Sequence, residues 1–384
     1  GKHMNEIEKL IAELCPNGVE WRELGEVSEI GTGKNNTNEQ VENGKYPFYV
    51  RSKDIKRINN YLFDEEAVII PGEGGIGEIF HYVNGRYGLH QRAYRIHIVD
   101  DQVDTKFVYY FLQVSFKQFI LKKAVSATVS SIRKPMIEKF PIPIPPLKIQ
   151  KKIVQILDKF TNYVTELTSE LTLRQKQYSF YRDKLLSFED EVYQVEWKTL
   201  GELLEKGRGT KITASQMKLL HKEGAPVRIF AGGKTYADVS FEDIPEKDIH
   251  QEAEIIVKSR GIIDFEYYAQ PFSFKNEFWS YKPKVQNINL RYVFHYLKHN
   301  KIHFQNIANN MQMPQISSKD TEKYKIPVPS LEIQTRIVQV LDNFDTVCND
   351  LNIGLPKEIE LRQKQYEYFR DKLLTFTAEG VYTD

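Results

Sequence analysis

The sequence lacks most of the features that assign a function at sight. Its 384 residues contain only two cysteines, Cys15 and Cys348, which cannot form a disulfide framework or a cysteine zinc site. The formal net charge is only +1, so any contact with nucleic acid must use local basic patches. No apolar run reaches transmembrane length and no signal peptide is recognisable, so we expect a cytoplasmic protein. The residues before Met4 resemble a cloning remnant.

Catalytic motifs are also missing from the sequence. There is no phosphate-binding loop and no Asn-Pro-Pro-Tyr or Asp-Pro-Pro-Tyr motif of an amino-methyltransferase. Residues 72–77 fit G-x-G-x-x-G, but the following residues predict a strand instead of the helix that a dinucleotide site needs. A tight hairpin or an exposed recognition loop is the better interpretation. His295, His299 and His303 share one helix face without a nearby glutamate, so we expect a surface or interfacial row and no metal.

What the sequence does contain is an internal duplication. Leu-Arg-Gln-Lys-Gln-Tyr occurs at 173–178 and 361–366, and Arg-Asp-Lys-Leu-Leu occurs at 182–186 and 370–374. Each copy follows a proline-rich run, and Trp21 and Trp197 open matching Trp-x-x-Leu-Gly-Glu segments. The offset is 184 residues between Pro143 and Pro327 and 188 residues between Arg174 and Arg362. A period this long indicates the duplication of a domain plus a helix, not a solenoid.

The pattern predicts an α+β fold of two globular regions and two long helices. In the first region, strand candidates at 46–50, 67–70, 79–83 and 93–99 precede a helix near 105–122. The apolar stripe of that helix runs from Phe107 to Leu121 and is interrupted at Lys117 and Gln118. The second region repeats this order, with a late helix near 290–303. The predicted boundaries are 1–18 (remnant and a short helix at 5–14), 19–145 (first region), 146–187 (first long helix), 188–329 (linker and second region), 330–376 (second long helix) and 377–384 (tail).

Both long helices carry apolar residues at alternating steps of three and four, which is typical of a coiled-coil seam. About forty helical residues would span about 60 Å. The second copy has four extra residues around Gly354 and Pro356, which predict a kink. If a pseudo-two-fold relates the halves, the helices run antiparallel and the chain termini lie close together. The seam residues are Ile153, Leu157, Phe160, Val164, Leu167, Leu171, Tyr178, Tyr181 and Leu185, and then Ile337, Leu341, Phe344, Cys348, Leu351, Leu355, Tyr366, Phe369 and Leu373.

Polar and basic side chains cluster in the loops of both globular regions. Asparagine and glutamine can read adenine with two hydrogen bonds, and arginine or lysine can read guanine. For any single residue the alternative is an ordinary solvated loop, but both regions place such clusters in a similar order. The candidate DNA-binding residues are Lys34, Asn35, Asn36, Thr37, Arg51, Lys53, Gln91, Arg92, Ser130, Arg133, Lys134, Lys211, Gln216, Lys234, Arg260, Lys275, Asn276, Asn310 and Gln312.

Polar residues on the long helices are identical in the two copies, although most of them lie off the seam. Packing explains the retention of core residues after a duplication but not of exposed ones, so we expect the helices to bind the same partner twice. Charge pairing along each helix after a recent duplication is the alternative, but a recent duplication would also have kept the loops alike. The candidate partner-binding residues are Gln175, Lys176, Arg182, Gln363, Lys364 and Arg370.

Together these motifs resemble the specificity subunit of a Type I restriction-modification system. The resemblance covers nearly the whole chain and also rests on Ile-Pro-(Ile/Val)-Pro-x-Leu-x-Ile-Gln-x-x-Ile-Val-Gln-(Ile/Val)-Leu-Asp at 142–158 and 326–342. It implies two α/β target recognition domains separated by two antiparallel coiled-coil helices. Each domain would read one half of a bipartite double-stranded DNA site with an unread spacer, in a bacterial or archaeal cytoplasm.

The resemblance also implies the partners. The helices would act as a ruler and dock two modification subunits, which bind S-adenosylmethionine and methylate adenine, and restriction subunits would join the full complex. The chain itself would be non-catalytic and would hold no cofactor. The four-residue insertion at Pro356 departs from an exact repeat of the helices. A coiled-coil scaffold without DNA reading is the first alternative, and a self-contained enzyme is the second.

Overall fold

A computed structural model describes residues 2–123, 130–188, 195–309 and 312–376. Short 3-10 turns lie at Thr37–Glu39, Phe241–Asp243 and Glu246–Asp248. The α-helices are α1 (Lys2–Leu14), α2 (Leu24–Val27), α3 (Thr105–Lys123), α4 (Lys134–Glu138), α5 (Leu147–Ser187), α6 (Leu200–Leu203), α7 (Ala214–Leu220), α8 (Leu290–His299), α9 (Lys301–Ala308), α10 (Ser318–Glu322), α11 (Leu331–Asn349) and α12 (Leu355–Leu373). The strands are β1 (Glu20–Glu23), β2 (Ser28–Thr32), β3 (Tyr46–Tyr49), β4 (Lys56–Ile58), β5 (Phe63–Pro71), β6 (His81–Leu89), β7 (Ala93–Ile98), β8 (Pro141–Ile144), β9 (Glu196–Thr199), β10 (Leu204–Arg208), β11 (Val227–Phe230), β12 (Tyr236–Val239), β13 (Glu254–Lys258), β14 (Asp264–Tyr268), β15 (Phe272–Phe274), β16 (Trp279–Pro283) and β17 (Lys325–Val328).

The chain forms two compact units that do not follow the boundaries between globular regions and helices. Unit 1 is Gly1–Thr168 with Glu358–Asp384, and unit 2 is Ser169–Lys357. Each unit therefore combines one globular region with segments of two helices, α5 and α12 in unit 1 and α5 and α11 in unit 2. The reason is burial, since the apolar helix residues join the cores of the globular regions.

Unit 1 is built on a sheet with the order β2-β7-β5-β6-β3-β4. Its pairs are antiparallel except β3 with β6, which are parallel with Tyr49 opposite Leu89. A separate ribbon pairs β1 with β8 and sets Trp21 opposite Pro143, so the proline-rich run pairs with the start of the Trp-x-x-Leu-Gly-Glu segment. Proline is tolerated in such a short ribbon, where few ladder hydrogen bonds are required.

Helix α3 covers this sheet, but its buried face differs from the predicted stripe. Phe107 and Phe111 are buried as expected, and the buried face then continues through Phe116 and Ile120. Leu121 was predicted on the stripe and is exposed, because the residues that meet the core follow the 3.6-residue period from Phe116.

The strands of unit 2 follow the same order along the chain as those of unit 1, but they form two sheets. Their orders are β10-β16-β13-β14 and β12-β11-β15, and β9 pairs with β17 in the matching ribbon. The parallel pair β11 and β15 corresponds to β3 and β6, with Phe230 opposite Phe274. In unit 1 the long strand β6 joins both parts of the sheet, whereas its counterpart in unit 2 is split into β14 and β15.

Contacts between the long helices occur in each unit, and those of unit 1 confirm the predicted antiparallel direction. In unit 1 the ring of Phe160 on α5 stacks on Phe369 of α12 at 5.1 Å, and the Arg362 guanidinium lies 5.0 Å from the ring of Tyr163. In unit 2 the Tyr178 and Tyr181 rings of α5 stack on Phe344 of α11 at 5.8 and 5.7 Å.

The second long helix is two helices, not one kinked helix. Helix α11 ends at Asn349 and α12 begins at Leu355, so Pro356 lies in a first turn, where its missing N–H costs no hydrogen bond. A Cβ at Gly354 would lie 2.5 Å from the Thr346 carbonyl oxygen, so this turn requires glycine. Leu351 was predicted in the seam and is 72% exposed, because the helix has already ended.

The remaining predictions concern histidines and chain ends. The three histidines do not share one helix, since α8 ends at His299 and His303 lies on α9. His295 is buried against Asp342, His299 lies near Asp183, and the ring of His303 is tilted against that of Tyr324 at 4.9 Å. No cluster of three or more His, Cys, Asp or Glu residues with metal-binding geometry occurs in the described ranges. None of the described helices is long and apolar enough to cross a membrane. The ring of His3 contacts Phe369 at 6.5 Å, so the described chain ends meet, while residues 377–384 lie outside the described part.

Candidate functional site

In unit 1 the predicted polar loops converge through backbone hydrogen bonds. Gly33 donates to the His90 carbonyl at 3.2 Å, and Gln91 donates to the Asn35 carbonyl at 3.0 Å. The His90 amide donates to Tyr49 at 2.9 Å, which brings the loop after β3 alongside. We call the loops 33–36, 51–53, 72–73, 90–92 and 130–133 loop cluster 1.

One carboxylate holds two arginines at the centre of loop cluster 1. Arg92 donates to both carboxylate oxygens of Glu73 at 3.0 Å, and Arg51 donates to one of them at 3.1 Å. The hydrogen bond from Arg92 is the main cause that lowers the pKa of Glu73 below its usual value. Glu73 also forms a β-bridge with Ser131, which ties in the loop before α4. The sequence carried no signal for this residue, because an acid does not stand out in a search for basic clusters.

Most of the predicted residues of unit 1 are exposed, but Asn35 has an internal role. The residue is only 7% exposed. The amide nitrogen donates to Glu39 at 3.2 Å, and the amide oxygen accepts from the Leu89 backbone at 3.2 Å. Asn35 therefore shapes the loop, because both ends of its amide are engaged within the chain. The exposed members are Lys34, Asn36, Thr37, Arg51, Lys53, Gln91, Arg92, Ser130, Arg133 and Lys134.

Unit 2 brings together an equivalent set of loops. Thr210 forms a parallel bridge with Lys275, and the Lys275 amide donates to Phe230 at 3.1 Å. Arg260 forms an antiparallel bridge with Gln315, and Lys258 Nζ donates to the Gly233 carbonyl at 2.6 Å. We call the loops 210–211, 231–234, 258–261, 275–277 and 312–316 loop cluster 2.

Some of the predicted DNA-binding residues of unit 2 are exposed in loop cluster 2, and others contact neighbouring residues of the chain. Lys275 is half-buried, and its Nζ lies 3.1 Å from Glu277. The Gln216 side chain accepts from the Thr213 amide at 2.9 Å, so it caps α7 outside the cluster. Asn310 lies outside the described residues. The exposed members of loop cluster 2 are Lys211, Lys234, Arg260, Asn276 and Gln312.

Contacts within the chain explain why some polar residues are identical in the two long helices. The guanidinium of Arg182 lies 5.2 Å from the Tyr178 ring, and that of Arg370 lies 5.6 Å from Tyr366. Lys364 pairs with Glu360 at 2.6 Å, and Gln363 donates to Glu367 at 3.4 Å. Packing against these rings therefore gives a reason for the identity of the two arginines that does not depend on a partner. Gln175 and Lys176 are exposed.

Two pairs of exposed apolar residues on these helices were missed by the sequence reasoning. Leu173 and Phe180 on α5 are 56% and 60% exposed, and the equivalent Leu361 and Tyr368 on α12 are 49% and 58% exposed. Members of each pair stand seven residues apart, so they share one helix face. Large apolar side chains at the same exposed position of both copies are typical of an interface. A comparison of off-seam apolar residues between the copies could have found them.

The retained glutamine of each Ile-Gln motif has a structural role that the sequence did not disclose. Gln150 accepts from the Asp104 amide at 2.8 Å and donates to the Gln102 and Pro145 carbonyls at 2.8 and 2.6 Å. Gln334 repeats this pattern at 2.8, 3.0 and 2.8 Å with Asn289, Asn287 and Pro329. Both side chains are fully buried. Each glutamine therefore fixes the first turn of a long helix to its globular region.

Comparisons with known proteins agree with the repeated architecture. A family model described as Type I restriction modification DNA specificity domain matches twice, at residues 16–174 and 194–361. The chain is 36% identical over 299 residues to the Type I restriction enzyme EcoR124I/EcoR124II specificity subunit of Escherichia coli, covering 72% of each chain. It is 30% identical over 385 residues to a putative type I restriction enzyme specificity subunit of Haemophilus influenzae, covering 94% of this chain and 96% of the relative.

Solved structures show the same fold. The crystal structure of a Type I restriction-modification system S subunit from M. genitalium matches with a TM-score of 0.68 at 18% identity, covering 94% of this chain and 97% of that one. A structure from work on complex assembly and conformational transition of the type I R-M system matches with a TM-score of 0.51 at 15% identity, covering 94% and 98%.

Proposed function

Because the chain belongs to the family of Type I restriction-modification DNA specificity domains, we propose that loop clusters 1 and 2 read the two halves of a bipartite double-stranded DNA site. The observation that carries this proposal is the pair of clusters itself. The same strand pairings build both clusters, yet their exposed side chains differ. One scaffold with two sets of side chains is what two different half-sites require.

The chemistry of the clusters suits DNA. Exposed lysines and arginines supply phosphate contacts, and exposed asparagine and glutamine supply base-edge contacts in the major groove. Arg51 and Arg92 outnumber Glu73, so loop cluster 1 carries a local positive charge although the formal net charge of the whole chain is only +1.

Catalysis belongs to the partner subunits of this family, and the chain is a non-catalytic specificity subunit. The proposal includes two modification subunits, which would bind S-adenosylmethionine and methylate adenine, and restriction subunits in the full complex. The repeated exposed pairs, Leu173 with Phe180 and Leu361 with Tyr368, support two equivalent docking faces. A partner with two copies suits an interface that the chain presents twice.

Helix α5 would act as the ruler between the half-sites. It is one continuous helix from Leu147 to Ser187 that contributes residues to both units. A helix of 41 residues has a length of about 60 Å, and such an element would hold the spacer between the half-sites constant.

The deciding experiment is co-expression of the chain with its cognate modification subunit, followed by genome-wide sequencing of methylated adenines. We expect one bipartite motif with a constant spacer. Exchanging residues 19–145 for the corresponding region of a relative should change one half-site and keep the other. Methylation without a bipartite motif, or a change in both half-sites, contradicts the proposal.

A scaffold without DNA reading is the second candidate, favoured by the helix pairs and the low net charge. It predicts no DNA footprint and partner binding that is insensitive to salt. A DNA reader loses DNA affinity steeply as salt rises, because phosphate contacts release counterions. Titrating the assembled complex with DNA at several salt concentrations separates the two candidates.

A further inference from the structure

The two loop clusters can be matched residue by residue through their backbone hydrogen bonds. The Ile132 amide donates to Gly72 at 3.0 Å, and the Ile316 amide donates to Ser259 at 3.0 Å. The next residues form antiparallel bridges, Glu73 with Ser131 and Arg260 with Gln315. Glu73 and Arg260 therefore occupy the same position in the two units.

A second pair of positions matches in the same way. The His90 amide donates to Tyr49, which ends β3, and the Lys275 amide donates to Phe230, which ends β11. In both loops a backbone hydrogen bond then spans three residues, from Ala93 to His90 at 3.1 Å and from Phe278 to Lys275 at 3.0 Å. Arg92 and Glu277 therefore also correspond.

At these two matched positions the charges are exchanged between the units. Unit 1 has an acid at 73 and a base at 92, whereas unit 2 has a base at 260 and an acid at 277. Glu277 takes Lys275 as its partner at 3.1 Å. Arg260 is exposed, and its guanidinium makes no hydrogen bond or ion pair within the described ranges. The exchange is therefore not a mirrored ion pair, since Arg260 remains available to a ligand.

We propose that Glu73 and Arg260 are equivalent specificity-determining residues, each contacting a base edge in its own half-site, an inference that rests on the function proposed above. A carboxylate accepts a hydrogen bond from the amino group of cytosine, and arginine donates two hydrogen bonds to guanine. Arg51 and Arg92 offset the repulsion between the Glu73 carboxylate and DNA phosphates and hold the carboxylate in place. Unit 1 then reads a cytosine where unit 2 reads a guanine.

The test uses Glu73→Arg and Arg260→Glu, each co-expressed in the full chain with the cognate modification subunit, with methylated adenines sequenced genome-wide. We expect Glu73→Arg to change which base is preferred at one position of one half-site. The ratio of methylation between sites with the new and the old base should change by on the order of tenfold or more. Arg260→Glu should change one position of the other half-site, and the spacer should stay constant in both. Glu78→Arg is the matched control. Glu78 is exposed in loop 75–78, five residues from Glu73, and forms an ion pair with Lys117 of α3. This substitution should leave both half-sites intact.

An unchanged motif with weaker methylation, or changes in both half-sites, overturns the inference. If Glu73→Arg abolishes methylation, Glu73→Gln decides, because an amide can read adenine with two hydrogen bonds. A shift towards adenine at one position supports the inference, and an unchanged motif contradicts it. A bipartite wild-type motif that neither substitution changes refutes this inference alone. A wild type without a bipartite motif refutes the proposed function, and the inference falls with it.

Discussion

At the scale of residues, the buried glutamines Gln150 and Gln334 connect each globular region to its long helix. Each satisfies one backbone N–H and two carbonyl groups in a site closed to water. A buried polar group left without a partner costs about 1–3 kcal/mol. The retention of both glutamines after the duplication therefore follows from hydrogen bonding within the chain, whereas a partner is the reason we propose for the retained exposed residues.

Replacing Gln150 with leucine should lower the free energy of unfolding of unit 1 by about 2–4 kcal/mol, because several backbone groups lose their partners at once. Chemical denaturation monitored by tryptophan fluorescence measures the change. Gln155→Leu is the matched control, since Gln155 is exposed on the same helix and should change stability little. Equal effects of the two substitutions would contradict the role assigned to Gln150.

His250 provides a pH-dependent contribution to the stability of unit 2. Its ring stacks on Phe272 and Phe274 at 5.0 and 5.4 Å, and it hydrogen-bonds Glu254 at 2.5 Å and the Arg208 carbonyl at 2.7 Å. Burial is the largest single influence and lowers the pKa of His250. The hydrogen bond and the charge of Glu254, together with the Arg208 carbonyl, outweigh burial and raise the pKa of His250 above its usual 6.5. The folded state therefore binds the proton more tightly than the unfolded state.

Because the folded state binds this proton more tightly, the contribution of His250 to stability should be fully present below pH 6.5. It should be lost as the pH rises through the folded pKa of His250. Unfolding free energies measured from pH 5.5 to about 8.5 should therefore show a larger advantage of the wild type over His250→Asn at the acid end. His221→Asn is the control, since His221 is exposed. A difference in unfolding free energy between the wild type and His250→Asn that does not change with pH would contradict the role assigned to His250.

At the scale of elements, the exposed apolar pairs on α5 and α12 allow partner binding to be tested separately from the stability of the fold. Leu173 and Phe180 lie on α5, and Leu361 and Tyr368 lie at the equivalent positions of α12. They add little to either core, so their substitution should affect partners more than stability. The same reasoning does not apply to Arg182 and Arg370, whose guanidinium groups pack on tyrosine rings of their own helices.

The double substitution Leu173→Asp with Phe180→Asp should remove one of two bound modification subunits and leave thermal stability nearly unchanged. Apolar anchors of this kind typically contribute about 2 kcal/mol or more to binding, about thirtyfold in affinity. Light scattering of the purified complex measures the stoichiometry. Ile302→Asp is the control, because Ile302 is an equally exposed apolar residue on α9. Two subunits still bound at wild-type affinity would exclude this face as a docking site.

At the scale of the whole molecule, the proposed ruler can be tested apart from the reading loops. Four residues inserted after Thr168 add about 6 Å to α5 and slightly more than one full turn. Residues 168–170 are exposed, so the insertion disturbs little burial. We expect the spacer of the methylated motif to lengthen by about one or two base pairs, at about 3.4 Å each, with both half-sites unchanged. Replacing the three residues 168–170 by alanine, which keeps the length of α5, should leave the spacer as it is. Changed half-sites with a constant spacer would falsify the ruler.

Periodicity determined much of this protein from its sequence alone. The duplication, α3, α5 and the antiparallel seam all follow from local spacing and from the repetition of motifs. Local signals also located the loops, because glycine, proline and polar residues mark where strands end. Even the end of α11 was indicated, although Gly354 and Pro356 produce a break and the start of a new helix where a kink was predicted.

Only the tertiary structure decided which of the candidate side chains remain exposed. Asn35 matched the pattern of a base-reading residue, but the parallel pairing of β3 and β6 buries it against Leu89. Glu73 carried no signal, but strand pairing places it between Arg51 and Arg92, which lie 22 and 19 residues away along the chain. Such contacts depend on long-range register, and no window of neighbouring residues contains that information.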